Sequence, residues 1–170
     1  MEQVTETAMP VVRLGNIAEC EVTGLRGTIT QILTPAVGAK QLAIQARGNG
    51  ETVPEALYVD EYLIKFIDNG VADRVPAPAA LKFDFGQEVR EMASDQVGVI
   101  VACAIHLNGC VYFGITTKSR ANKSPETFYV NQERLTLVSE GFKEQLPKSE
   151  GTQRQPGGPS TRVSAMNVRV

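Results

Sequence analysis

Residues 14–67 and 85–138 align on each other at a constant offset of 71, with no gap. Leu14-Gly15 falls on Phe85-Gly86, Gly27 on Gly98, Ile29 on Ile100, and Leu42 and Ile44 on Phe113 and Ile115. Pro54-Glu55-x-x-Tyr58-Val59-Asp60 falls on Pro125-Glu126-x-x-Tyr129-Val130-Asn131. A chain that uses one small unit twice is constrained to build two like modules. Each has about 55 residues, close to the lower limit for a self-sufficient hydrophobic core. Such units lean on a neighbour, a partner or an oligomer for part of their stability. Two copies suit gripping or bridging a repetitive surface better than they suit a single catalytic cleft.

Within the first copy the pattern is that of short strands. Ile17–Val22 leads to a Gly24-Leu25-Arg26-Gly27 turn, Thr28–Leu33 is rich in β-branched residues, and Gln41–Ala46 alternates with Leu42 and Ile44 on one face. Ala56–Val59, a tight turn at Asp60–Leu63 and Ile64–Ile67 complete the unit. The second copy repeats the plan with Glu88–Ala93, Val97–Ile105, a hairpin at His106-Leu107-Asn108-Gly109, Cys110–Thr116, Thr127–Val130, a turn at Asn131–Arg134, and Leu135–Val138. Strands of this length with frequent Gly and Pro predict an all-β antiparallel meander, and Asn-Gly accepts the positive φ of a hairpin turn. Residues 1–13 read as a polar arm and 68–84 as a linker containing Pro76-Ala-Pro78-Ala-Ala, semi-stiff and extended. Residues 139–170 read as an extended tail, poor in large apolar groups until Val163, Met166, Val168 and Val170, and disordered when alone.

Charge narrows the function classes. The net charge is −2, and residues 14–67 hold four basic groups against six acidic ones. Residues 85–138 hold five of each, while residues 139–170 hold five basic groups against three acidic ones. The modules are not electropositive, which argues against a nucleic-acid platform, where a concentrated basic face supplies most of the affinity. There is no apolar run long enough to span a bilayer, and residues 1–13 lack the basic start and apolar stretch of a secretory signal. No membrane partner is expected. Cys20, Cys103 and Cys110 are then reduced, partly buried thiols.

Several patterns invite a chemical reading. Cys103-x-x-His106-x-x-x-Cys110 offers zinc three ligands, without a paired C-x-x-C and across a hairpin, so buried thiols are the better account. His106, the one histidine, reads as a hairpin-tip imidazole exposed to solvent, and no nucleophile motif accompanies it. Asp60-Glu61 could serve as paired carboxylates. Their counterparts Asn131 and Gln132 keep the polarity and lose the charge, so capping of the tight turn explains both copies. Gly24-x-x-Gly27 precedes a strand rather than a helix and lacks the anion site of a phosphate loop. Gly27 and Gly98 instead suit a tight turn or bulge into a curved strand. Tyr58, Tyr62, Tyr112, Phe113, Phe128 and Tyr129 could stack bases, but without a basic face most are expected in core or inter-unit packing. No catalytic residue, metal site or cofactor is expected.

The hydrophobic-Gly pair, the Gly-containing turn before a β-branched strand, and Pro-Glu-x-x-Tyr-Val-Asp-Glu-x-Leu resemble a small SH3-like barrel family of tailed bacteriophages. His106-Leu-Asn-Gly-Cys-Val-Tyr-Phe-Gly-Ile115 is similar to that family's stretch of aromatic or polar residue, Leu, polar residue, Gly-Cys and then a strand, whereas Ser94–Val97 departs from the family's Thr-Gly-Phe-x-Gly, which the first copy keeps as Thr23-Gly24-Leu25-Arg26-Gly27. The resemblance implies two tandem SH3-like β-barrels joined by the Pro/Ala linker. It also implies a non-enzymatic virion protein, assembled in the host cytoplasm, that decorates or cements the outer shell. Its partners would be the major capsid protein and further copies of itself. A head–tail connector or tail adaptor is the alternative, with an SH3-like nucleic-acid module as a rival of another class. On this reading Arg154, Arg162 and Arg169 would pair with acidic shell residues, and Val163, Met166, Val168 and Val170 would fill shallow pockets.

Overall fold

The computed structural model describes residues 12–119 and 124–142. The sequence expectations placed on the tail, including Arg154, Arg162, Val163, Met166, Val168, Arg169 and Val170, lie outside the described residues. The first copy forms β1 (Ile17–Cys20), β2 (Arg26–Pro35), β3 (Gln41–Gln45), β4 (Leu57–Asp60) and β5 (Ile64–Asp68), with a single 3-10 turn at Glu61–Leu63. The second forms β6 (Glu88–Glu91), β7 (Val97–His106), β8 (Val111–Thr117), β9 (Thr127–Asn131) and β10 (Leu135–Ser139), with a 3-10 turn at Gln132–Arg134. The chain is all-β, and every strand pairing is antiparallel.

The pairing scheme is the same in both copies. β2 lies between β1 and β3, β4 borders β3, and β5 returns to β1. The second copy repeats this with β6 to β10. Among the described residues no ladder closes β4 onto β5 or β9 onto β10, so the strands form an open sheet rather than two closed barrels.

Two tandem barrels joined by a linker were expected, with any contact between the copies left open; the copies share one ten-stranded open sheet. The cause lies in β2. Its first residues pair with β1, and a bulge follows where Ile29 faces Ile44 but Gln31 faces Ala43. A bulge bends a strand and sharpens its twist, so β1 parts from β2 and leaves the edge of Gln31–Pro35 open. An unpaired edge demands a partner, and the equivalent stretch of β7 supplies it. Gln31 faces His106, Ile32 Ile105, Leu33 Ala104, Thr34 Cys103, and Pro35 Ala102. Exchanging the copies maps this ladder onto itself: Gln31–His106 becomes Ala102–Pro35, and Leu33–Ala104 stays in place. The seam is therefore a pseudo-twofold axis through Leu33 and Ala104, the geometry of an isologous dimer interface inside one chain.

The core follows strand alternation. Val89, Ile100, Cys103, Val111, Phe113, Ile115, Val130 and Leu135 form the cluster of the second copy, with Phe83 edge-on to Phe113 at 5.8 Å between ring centres. Leu14, Ala18, Ile29 and Leu42 form one cluster of the first copy, and Cys20, Ile44 and Val59 another. Ile105 packs on both the second-copy cluster and the Leu14 cluster, so the two cores are joined beneath the seam.

Both copies are clasped at their ends in one manner. Val71 N–H donates to the Gly15 carbonyl at 2.9 Å, and Phe142 N–H to the Gly86 carbonyl at 2.8 Å. Gly15 and Gly86 share φ of 83°, a left-handed conformation open to glycine at little cost. The repeat thus extends past residues 67 and 138 to Val71 and Phe142. The segment between the copies begins with a short 3-10 turn at Ala72–Arg74. It is held to the second copy by Ala79 N–H donating to the Gly109 carbonyl, and by buried Gln132, which bonds Lys82 N–H and the Ala80 carbonyl.

Candidate functional site

Two surfaces bring side chains together in a way that permits binding. The first is the outer face of the continuous run β4-β3-β2-β7-β8-β9. One row across it reads Tyr58, Ala43, Gln31, His106, and another reads Asp60, Gln41, Leu33, Ala104, Tyr112, Asn131. Alternation sends Leu42, Ile32, Ile105 and Val111 to the core, so these rows face away from it. The floor is made of small buried residues, Ala43, Ala102, Ala104 and Gly114. Tyr58 and Tyr129, partners under the pseudo-twofold, stand above it with 48% of each exposed. The Tyr58 hydroxyl bonds Gln31 Oε1 at 2.9 Å. The Tyr129 ring covers Gly114, where an added Cβ would come within 3.0 Å of Cε1. Burial raises the Tyr129 phenol above its ordinary range, and the nearby Tyr58 adds to the shift.

The second surface is a groove that occurs once in each copy. In the first it measures ≈ 690 Å³ and is lined by Ile17, Arg26 and Thr28 on the strands, by Arg47 and Val53 after β3, and by Leu107 from the second copy. In the second copy the groove of ≈ 420 Å³ is lined by Glu88, Gln96, Val97, Thr117, Lys118 and Glu126. Glu88 matches Ile17, Val97 matches Arg26, and Lys118 matches Arg47 at the offset of 71. The alternation that buries Ala18, Ile29 and Ile44 turns Ile17, Thr28 and Gln45 towards this groove. Its polarity differs sharply between copies. Lys118 Nζ meets Glu88 Oε1 at 2.8 Å, and this bond holds the Glu88 carboxyl below the usual carboxylate range.

The residues singled out from sequence scatter. Cys103 lies in the core, and burial raises its thiol. His106 is on the opposite face, so the Cys-His-Cys pattern does not converge. Among the described residues no three His, Cys, Asp or Glu side chains are placed to hold a metal ion. His106 is also not a solvent-exposed hairpin tip. It ends β7, half-buried, with its ring 4.8 Å from that of Tyr112, and burial lowers its pKa. Asn131 caps its turn by accepting from Glu133 N–H at 2.9 Å. Asp60 does not cap; its carboxylate accepts from Gln41 Nε2 at 3.0 Å instead. Gly27 and Gly98 sit inside β2 and β7 rather than at the bulge. A Cβ at Gly27 would fall 2.2 Å from the Gln45 carbonyl oxygen. Of the aromatic set, Phe113 and Phe128 join the core, Tyr112 lines the outer face, and Tyr62 is 72% exposed.

Sequence reasoning missed Glu91, which is only 2% exposed. Its carboxylate accepts from Ala93 and Ser94 N–H and pairs with Arg134 at 2.6 Å, and its pKa falls to about 2, the hydrogen bond of the Ser94 side chain leading and that of the Ala93 amide next. The equivalent position is Cys20, whose thiol is lowered by Thr23 in the same turn. The signal was present in the alignment, where Cys20 and Leu63 in one copy become Glu91 and Arg134 in the other.

No protein-family model, curated protein or solved structure matches the chain.

Proposed function

We propose that this chain is a non-enzymatic virion protein of a tailed bacteriophage, built on two SH3-like units, that binds the outer capsid surface and stabilises the shell. The sequence resemblance supplies the family. The strand order β5-β1-β2-β3-β4 of the first copy, repeated as β10-β6-β7-β8-β9 in the second, each with a 3-10 turn before its last strand, supports this reading. The observation that carries the functional reading is the pseudo-twofold seam, which places a groove at the equivalent position of each copy on one joined sheet. A shell offers many near-equivalent sites, each of modest affinity. Two grooves at fixed spacing make the second contact intramolecular, raising avidity by roughly 10²–10⁴ when the spacing matches.

The test is co-sedimentation of the full chain with mature shells of its phage. Saturable binding at a fixed ratio to the major capsid protein is the expected result. Absence of shell binding, with capture on isolated connector or tail complexes, would replace this reading with that of an adaptor. A salt-sensitive gel shift on DNA or RNA would replace it with a nucleic-acid module.

A further inference from the structure

The two grooves are the same place in two copies, and one comparison between them is informative. In the second copy the cation of the groove is neutralised from within, Lys118 on Glu88 at 2.8 Å. In the first copy the acid's position is taken by Ile17, which accepts nothing. Arg47 is exposed and has no ion pair or hydrogen bond among the described residues. Among the described residues no carboxylate lines this groove. Its other cation, Arg26, reaches Asp68 outside the lining at 3.6 Å, with both side chains more than half exposed. Val53, Pro54, Val71 and Leu107 supply apolar walls, so the groove combines an unpaired guanidinium with surface that prefers hydrocarbon.

We infer that the first-copy groove takes an extended peptide segment with apolar residues flanking one acidic side chain, whose carboxylate pairs with Arg47 as Glu88 pairs with Lys118 in the second copy. The second copy serves as an internal reference, because there the same groove closes its own charge. Charge complementarity selects the ligand, and a guanidinium can engage a carboxylate through two parallel hydrogen bonds where an ammonium cannot. Leu107 belongs to the other copy, so the groove is complete only while the seam holds. That the segment belongs to a shell subunit rests on the function proposed above; the groove chemistry does not.

The experiment titrates N-acetyl-Val-Glu-Val-amide into the ¹⁵N-labelled full chain and follows backbone amide shifts. Saturable changes at Thr28, Gly48 and Val53, without changes at Thr117 or Ser124, are the expected result. Replacing Glu by Gln in the peptide, or Arg47→Gln in the protein, is expected to weaken binding at least about tenfold, since a charge-assisted bond is lost. Ile17→Glu supplies an internal carboxylate and is expected to weaken binding similarly, while Arg47→Lys retains part of it. Equal binding of the Gln peptide, equal shifts in both grooves, or no saturation overturns the inference. If those results appear while the Arg47→Gln chain still sediments with shells, the groove inference falls and the shell function stands. If the peptides discriminate but the wild-type chain ignores shells, the groove stands and the shell function falls.

Discussion

Leu107 donates its backbone N–H to the carbonyl of Thr30, the bulge residue of β2, at 2.9 Å. The pseudo-twofold repeats the bond in reverse, with Ala36 N–H on the Val101 carbonyl at 2.7 Å. A bulge frees a carbonyl from its own ladder, and here each freed carbonyl is satisfied by the other copy. The two bonds flank the five ladder pairs and fix their register. A one-residue slip would turn every side chain of the seam to the wrong face.

The amides of Ala36 and Leu107 are accordingly expected to exchange with solvent only through global unfolding. Calorimetry should show one transition for both copies. Fast exchange at both amides, or two resolved heat-capacity peaks, would mean that the copies open independently.

Glu91 gives a pH dependence with a definite sign. Its folded pKa of about 2 lies below the ordinary value of 4.5. Its contribution is therefore complete above about pH 4.5 and is lost as pH falls towards 2. Denaturant midpoints measured across that window should drop steeply for the wild type and less steeply for Glu91→Gln. That variant is less stable at neutral pH, because Arg134 and the Ala93 and Ser94 amides lose their anion. Parallel slopes would show that the acid response lies elsewhere.

His106 acts in the adjoining window. Burial disfavours its charged form, so stability is full above about pH 6.5 and declines as pH falls through the lowered folded value. Histidine resonances in a pH titration should report that lowered value. Phe in its place should remove the dependence while keeping a ring against Tyr112. A titration midpoint at or above 6.5 would contradict the half-buried placement.

The equivalent 3-10 turns at Glu61–Leu63 and Gln132–Arg134 should respond unequally to truncation. Asn131→Ala removes a cap and is expected to cost about 1 kcal/mol. Asp60→Ala removes no cap, only part-exposed side-chain bonds to Gln41 and Tyr62, and is expected to cost about 0.5 kcal/mol. Thermal unfolding of the two variants decides this, and a reversed order would refute the assignment of the caps.

Gly27→Ala tests the closeness of β2 to β3. The new methyl would meet the Gln45 carbonyl oxygen at 2.2 Å, backbone that a flexible side chain cannot vacate. A loss of about 2–4 kcal/mol is expected, at the large end for a single substitution. A neutral result would mean that the strands part at this point without cost.

What the sequence determined by itself was local. The offset of 71, the alternation of Leu42 with Ile44, and the Asn108-Gly109 hairpin are properties of neighbouring residues, and each strand lies within a few residues of where these signals place it. The tertiary structure decided what joins the copies and where the site lies. Nothing in Gln31–Pro35 or Ala102–His106 announces that one pairs with the other, because an edge strand carries the same pattern whether it faces water or a neighbour. The replacement of Glu88 by Ile17 could be read from the alignment, but that these positions stand beside Lys118 and Arg47 could not. Residues 30 positions apart become neighbours only when the ladders bring β1 and the end of β3 to one side of the sheet. Repetition and periodicity are written residue by residue. A seam and a groove are relations between distant residues, and only the packed sheet fixes them.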